Sequence, residues 1–353
     1  MKAFYFKHVL KFKFPSGTSR GLLKNKESWF IIIVNNNNIG IGECSLISGL
    51  SPDPAPKFEK KLSEICSEIK LGFKALASKL IKFPSILFGL ETAFNSLNSA
   101  DPFIFKNSSF TNGKKFLNIN GLIWMGEKSF ILDQIQEKIN SGFNCIKIKV
   151  GALDFKQECE ILKKIRSEYS ESDIQIRLDA NGAFSKESVI QKLEKLSRFK
   201  IHSIEQPIGT DQWKKMAFLC RNSPIKIALD EELIGLENYN DQKKMLEEIN
   251  PDYIIIKPSL LGGIRKSESW IKLAESLKID WWCTSALESN IGLNVIAQWI
   301  FSKKQNNIQG LGTGGLFSNN IHSPYFISDG KLKYNPKIKW ELNLFKDYIN
   351  NYD

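Results

Sequence analysis

Histidine is almost missing from this chain of 353 residues: there are three, His8, His202 and His322, and no two of them share the spacing of a metal or proton-relay motif. The commonest proton carrier at neutral pH and the usual zinc ligand are thereby removed, and all three are expected to be structural. Cysteine is no more informative. Cys44, Cys66, Cys145, Cys159, Cys220 and Cys283 are scattered without a CxxC pair, mostly in apolar surroundings. That pattern argues against a disulfide or zinc-thiolate framework and for small core residues in a reducing cytosol. No uncharged run approaches the roughly 18 apolar residues that a membrane span requires. The start, MKAFYFKHVLKFKF, alternates apolar residues with lysine, as an edge strand does and a signal peptide does not. With 42% hydrophobic and 25% charged residues, disorder and collagen-like structure are excluded as well.

What is present in excess is positive charge, 49 Lys+Arg against 38 Asp+Glu, a formal net charge of +11. Lysine heavily outnumbers arginine, is spread along the chain and accompanies abundant Asn and Ile, as in NNNN at Asn35 to Asn38. This reads as a solvated basic surface rather than a polyanion site, so neither a nucleic acid nor a membrane is expected as a partner. Oligomeric state cannot be read.

The texture changes near Phe116. From there, short Ile/Leu/Val-rich runs alternate with amphipathic windows: LNINGLIW, CIKIKV, IQIRLDA, SIEQP, IALDEE, YIIIKP and WWCTSA each precede a helical stretch, and NIQGLG ends the series. Eight strands in about 200 residues predict a closed parallel barrel, an α/β fold, over residues 116–315. Residues 1–115 read as a separate α+β domain, to which residues 316–353 return.

The ionisable residues fall where a barrel would use them. Lys149, Asp179, Glu205, Asp230 and Lys257 each close an apolar run, at intervals of 30, 26, 25 and 27 residues, one strand–helix repeat each time. Function in such barrels sits at the carboxyl ends of strands, so the five should face one mouth. Three carboxylates brought together repel unless a cation joins them. Asp179, Glu205 and Asp230 are oxygen donors that suit a hard divalent ion, Mg2+ first and Mn2+ as its substitute. Lys147 and Lys149 lie on one face of a strand, where mutual repulsion is expected to lower a lysine pKa toward that of a usable base. A metal between Lys149 and the opposed Lys257 suits removal of a proton next to a carboxylate.

KIKVG, IRLDANGAF, SIEQP, ALDEE, YIIIKP and TSALESNIGL, in this order, resemble the enolase superfamily in its muconate-lactonizing-like branch. TSRG at Thr18 to Gly21, IGECSLISGLS, FGLETA, INGLIWMG and GLGTGGLF extend the likeness over nearly the whole chain. The resemblance implies a modified TIM barrel of seven strand–helix repeats plus a final strand, with a capping domain formed by the N-terminal part and the C-terminal tail. It implies Asp179, Glu205 and Asp230 as magnesium ligands, Lys149 as the residue that takes and returns the proton, and Lys257 as the stabiliser of an enediolate. Lys147, Arg177, Asn181, Glu231 and Ser285 would support these groups or orient the substrate. The implied reaction is dehydration of a small dicarboxylate, 2-succinyl-6-hydroxy-2,4-cyclohexadiene-1-carboxylate, to 2-succinylbenzoate in menaquinone biosynthesis. The loops at TSRG and SLISGLS are expected to close over that substrate.

GLGTGG at Gly310 to Gly315 satisfies GxGxxG, but LFSNNIHSPYF follows it without a helical period, so it reads as a barrel loop that faces substrate rather than a dinucleotide fingerprint. Trp281 and Trp282 read as packing residues. Two rivals stand beside dehydration. An N-acylamino acid racemase or dipeptide epimerase would use the same opposed lysines, although the epimerases' paired aspartates are replaced here by SALESN. A non-catalytic basic barrel that binds nucleic acid would need its lysines on one face.

Overall fold

The computed structural model describes residues 1–18 and 21–349; Ser19 and Arg20 of the TSRG motif lie outside the described residues. The chain opens with a three-stranded antiparallel sheet of β1 (Lys2–Thr18), β2 (Gly21–Asn35) and β3 (Asn38–Ser45), in that order. Edge strand β1 carries the alternation of lysine and apolar residues. Central β2 is apolar without a break from Trp29 to Val34 because both of its faces are covered. Trp29, Ile31 and Ile33 pack on helices α1 (Phe58–Ser67), α2 (Gly72–Ser78) and α3 (Pro84–Leu97). Phe30, Ile32 and Val34 pack on tail residues including Phe345. Helix α3 lies directly on β3. A Cβ at Gly40 or Gly42 would run into the α3 backbone at Ala93 or Gly89, which is why IGIGE spaces two glycines on one face.

The barrel begins after β4 (Leu117–Asn118). Its staves are β5 (Gly121–Ile123), β6 (Cys145–Lys149), β7 (Gln175–Asp179), β8 (Ser203–Glu205), β9 (Lys226–Leu229), β10 (Tyr253–Ile256) and β11 (Asp280–Cys283), joined in sequence order as one parallel sheet. The intervening helices are α4 (Lys128–Asn140), α5 (Phe155–Glu168), α6 (Val189–Ser197), α7 (Trp213–Asn222), α8 (Tyr239–Ile249), α9 (Pro258–Leu261) with α10 (Ile264–Ser276), and α11 (Asn290–Ser302). The eighth stave is minimal. Gln309 bridges Ile119 and Gly310 bridges Thr284, both in parallel, which joins the two edges of the sheet and closes the barrel.

Outward residues Ile146, Ile148, Leu178, Ile204, Ile227, Leu229, Ile254 and Ile256 belong to one buried cluster with the surrounding helices. Inward-facing Ala228, Tyr253, Ile255 and Trp282 form a second, smaller cluster that fills the barrel. This is the alternation that puts polar residues inside only at the strand ends. The C-terminal stretch divides its contacts. β12 (Tyr325–Ser328) pairs with β13 (Lys331–Tyr334), which pairs with β4, whereas Trp340, Leu342 and Phe345 join the face of β2 opposite the helices. Among the described residues, no helix is long and apolar enough to cross a membrane, and the six cysteines are free.

Candidate active site

Strand register assembles the site. Lys149 on β6 is level with Asp179 on β7, and Asp179 with Glu205 on β8. Glu205 is level with Ala228, and Asp230 stands two residues further on, pointing the same way. Lys257 directly follows β10. Asp179, Glu205 and Asp230 are at most 2% exposed, and Lys147 is 6% exposed. Lys147, Lys149, Asp179, Asn181, Glu231, Lys257 and Ser285 all line one cavity.

Lys147 Nζ lies 2.9 Å from Asp179 and donates to Glu205 at 3.0 Å. Lys149 Nζ donates to Asp179 Oδ2 at 2.9 Å and to Asn181 Oδ1 at 2.7 Å. Lys257 donates to Asp230. Asn181 has a left-handed backbone, φ 43°, which asparagine tolerates better than most residues, and its amide donates to Glu231 at 2.9 Å. Gln206 of the EQP motif holds the neighbouring turn: its Oε1 accepts from the backbone of Asp230 and of Glu232, both at 3.3 Å.

These pairings set the electrostatics. Burial works against the Lys147 ammonium, but the charges of Asp179, Glu205 and Asp230 outweigh it and raise its pKa. The lowering expected from two adjacent lysines is therefore reversed at Lys147, because it faces carboxylates rather than its neighbour alone. Lys257 is likewise raised, with Asp230 and Glu205 prevailing over burial. Burial pushes Asp179 up, yet Lys147, Lys149 and Lys257 bring its carboxyl below the ordinary range. Glu205 is pushed well above that range by burial and by the facing charge of Asp179.

Among the described residues, no three His, Cys, Asp or Glu side chains converge closely enough to hold an ion as they stand, since the carboxylates are drawn onto lysines. The donor chemistry nevertheless fits a hard divalent cation. Three buried carboxylates end consecutive staves, and burial first, then the facing charge of Asp179, work against the charged form of Glu205, both of which a cation between them would offset.

Of the expected site residues, Glu205, Asp230 and Arg177 do not line the cavity; Glu205 and Asp230 are bonded to Lys147 and Lys257 of its wall, whereas Arg177 turns away. It sits a pleat below Asp179, stacks 4.1 Å over the Trp282 ring and donates to the Ile308 carbonyl at 2.8 Å. Ser285 is on the rim, its Oγ 2.6 Å from Thr313 Oγ1. SLISGLS supplies Ile47, Ser48 and Leu50 to the cavity wall, and Leu23 comes from the start of β2. GLGTGG supplies Gly310, Gly312 and Thr313 and opens only a single 3-10 turn, Thr313–Gly315, not a dinucleotide-binding helix. Sequence reasoning passed over Asn120, Trp124 and Thr284, all on the wall. Thr284 carried a signal, since it follows Lys257 by 27 residues, the same repeat as the other strand ends.

Comparison with known proteins agrees with this construction. The Enolase C-terminal domain-like family matches residues 131–337. An o-succinylbenzoate synthase of Desulfotalea psychrophila is 42% identical over 94% of this chain and 98% of its own length. The crystal structure of MenC from Desulfotalea psychrophila superposes with a TM-score of 0.84 at 39% identity, covering 94% of this chain and 99% of that one. A dipeptide epimerase from Cytophaga hutchinsonii, solved with Mg and a dipeptide, gives a TM-score of 0.82 over 99% of this chain and 97% of its own, but at 20% identity it shares the fold alone. Members of the superfamily use a divalent metal ion. Barrel, cap, strand-end carboxylates and opposed lysines thus occur in a chain that belongs to the o-succinylbenzoate synthase family, hydro-lyases of the enolase superfamily.

Proposed function

We propose that this chain removes water from 2-succinyl-6-hydroxy-2,4-cyclohexadiene-1-carboxylate to give 2-succinylbenzoate, a step of menaquinone biosynthesis. The observation that carries the reading is that Lys149 and Lys257 line one cavity with Asp179, beside the buried carboxylates of Glu205 and Asp230 at the ends of the next two staves. Asp179, Glu205 and Asp230 would hold the divalent cation, Mg2+ by preference; when bound, it supplies positive charge against the negative charge that builds on the substrate carboxylate.

Lys149 Nζ, oriented by Asn181 and Asp179, takes the proton alpha to the ring carboxylate. The Lys257 ammonium faces the enediolate from the other side. Electrons freed by breaking the C–H bond form the new ring double bond and break the C–O bond. The departing hydroxide takes the proton back from Lys149 and leaves as water, so the lysine ends in its starting state. Aromatisation drives the elimination, which leaves base, charge and positioning for the chain to supply.

The racemase reading uses the same lysines and is separated by one comparison. Purified protein with Mg2+ is given the hydroxycyclohexadiene and, separately, an N-acylamino acid. Conversion of the first with little racemisation of the second is the expected result. Efficient racemisation without dehydration overturns the proposal.

A further inference from the structure

The positions of the staves divide the cavity into two halves. The three carboxylates stand on β7, β8 and at the end of β9; Lys149 on β6 and Lys257 after β10 flank them. The remaining wall, diametrically opposite, is made by the end of β11, the closing stave and the start of β5, which contribute Thr284, Gly310 and Asn120. A substrate whose reacting carboxylate lies between the two lysines must send the rest of its structure toward that wall.

The wall holds two buried polar groups with unmet hydrogen-bonding capacity. Among the described residues, Thr284 Oγ1 has no hydrogen-bond partner, and the residue is 7% exposed. Asn120 Oδ1 also has none, at 4% exposure, and its amide nitrogen makes a single long contact, 3.4 Å to the Gly121 carbonyl. A buried polar atom without a partner is destabilising, so a pair on one wall of a cavity marks a place where a ligand completes the bonding. The hydroxyls of Ser285 and Thr313, on the same wall, are occupied with each other at 2.6 Å. Gly310 separates the pair. A Cβ there would meet Thr284 Oγ1 at 2.5 Å, so glycine keeps the hydroxyl reachable from the cavity.

We infer that Thr284 and Asn120 form the polar subsite for the oxygen-bearing arm of the substrate, the succinyl ketone and carboxylate in the dehydration reading on which this inference rests. The Thr284 hydroxyl rotates freely and donates to an arm oxygen. A half-turn of the weakly held Asn120 amide brings its N–H2 group to the cavity, and it donates to a second oxygen. Apolar Ile47, Leu50, Leu122 and Leu287 line the space between and take the ring and methylene carbons.

The test uses T284V and N120L, which remove the polar atoms with little change of shape, their double variant, and T284S, which restores a hydroxyl. Steady-state kinetics with the diene are paired with titration calorimetry of 2-succinylbenzoate and of benzoate, which lacks the arm, all with Mg2+. The double variant is expected to raise KM at least tenfold, well beyond any fall in kcat, and to weaken 2-succinylbenzoate by a similar factor. Benzoate affinity stays as in the wild type, and T284S recovers the loss at its position. Wild-type affinity for 2-succinylbenzoate in T284V, N120L and the double variant overturns the subsite while leaving dehydration standing. Equal loss of benzoate and 2-succinylbenzoate also overturns it, since the arm is then not what these residues read. A wild-type enzyme that neither converts the diene nor binds 2-succinylbenzoate overturns the dehydration reading and the subsite with it.

Discussion

Replacing Glu43 by alanine removes a carboxylate that joins the capping sheet to the barrel. Glu43, on β3 and fully buried, accepts from Ser289 N at 2.9 Å, Ser289 Oγ at 2.5 Å and Gly292 N at 2.9 Å, and so caps the N-terminus of α11. On its other side it accepts from Ser28 Oγ at 2.6 Å and faces Lys26 Nζ at 3.5 Å. Two backbone N–H groups left unpaired cost about 1–3 kcal/mol each, and breaking a buried ion pair about 3–5 kcal/mol. These losses overlap. Burial already pulls the Lys26 pKa below its ordinary value with Glu43 as the main opposing charge, so the variant lowers it further, which eases loss of the proton and limits the penalty. A net loss of about 4 kcal/mol follows. Unfolding entropy near 2.1 cal/mol/K per residue gives about 0.7 kcal/mol/K for 353 residues, hence a fall in Tm of about 5 °C. Glu43→Gln keeps the volume but turns an N–H2 group toward donors, and should cost roughly half as much. The pair Lys26→Met with Glu43→Gln should be less harmful than the sum of the two single changes. Thermal unfolding by circular dichroism reads all of these. A Glu43→Ala protein melting within 1 °C of wild type refutes the capping argument.

Glu91 on α3 plays the matching part at α10, accepting from Ile264 N at 2.6 Å and Arg265 N at 3.2 Å, and Glu91→Ala should lower Tm by a few degrees in the same assay. His202 stacks on Tyr253, and burial with the charges of Arg177 and Lys226 lowers its pKa to about 4. Its neutral form is favoured on folding, so this contribution is complete above about pH 6.5 and is lost as pH falls toward 4; His202→Phe should remove about 2 kcal/mol of acid sensitivity, read from Tm against pH. Chelation should abolish turnover. Mg2+ added at about 100 times its Kd should restore turnover and raise stability by about 2.7 kcal/mol, about 4 °C, and an unchanged Tm would count against a carboxylate-held cation.

The regular 25–30-residue spacing of Lys149, Asp179, Glu205, Asp230 and Lys257 made the barrel and its mouth legible, because one strand–helix repeat returns the chain to the same level. The same alternation hid the role of Arg177. Periodicity shows which face a residue shares but not how deep in the barrel it lies, and depth turns Arg177 onto Trp282 instead of the cavity. The rise in the Lys147 pKa was hidden too, since it depends on carboxylates 32 and 58 positions away. Glu43 reaches Ser289 across 246 residues, and no local pattern connects them. The closing stave was visible only as NIQGLG, because two bridged residues carry too little hydrogen bonding to mark a strand by composition.

The central claim is that Lys149 moves the proton in a dehydration. The most direct test compares turnover of 2-succinyl-6-hydroxy-2,4-cyclohexadiene-1-carboxylate by wild type and by Lys149→Ala, at saturating Mg2+, alongside a Mg2+ binding isotherm for each. A general base is worth about 10²–10⁴ in rate. The variant should bind Mg2+ as wild type does and lose turnover by at least that factor. Turnover within a few-fold of wild type would contradict the account.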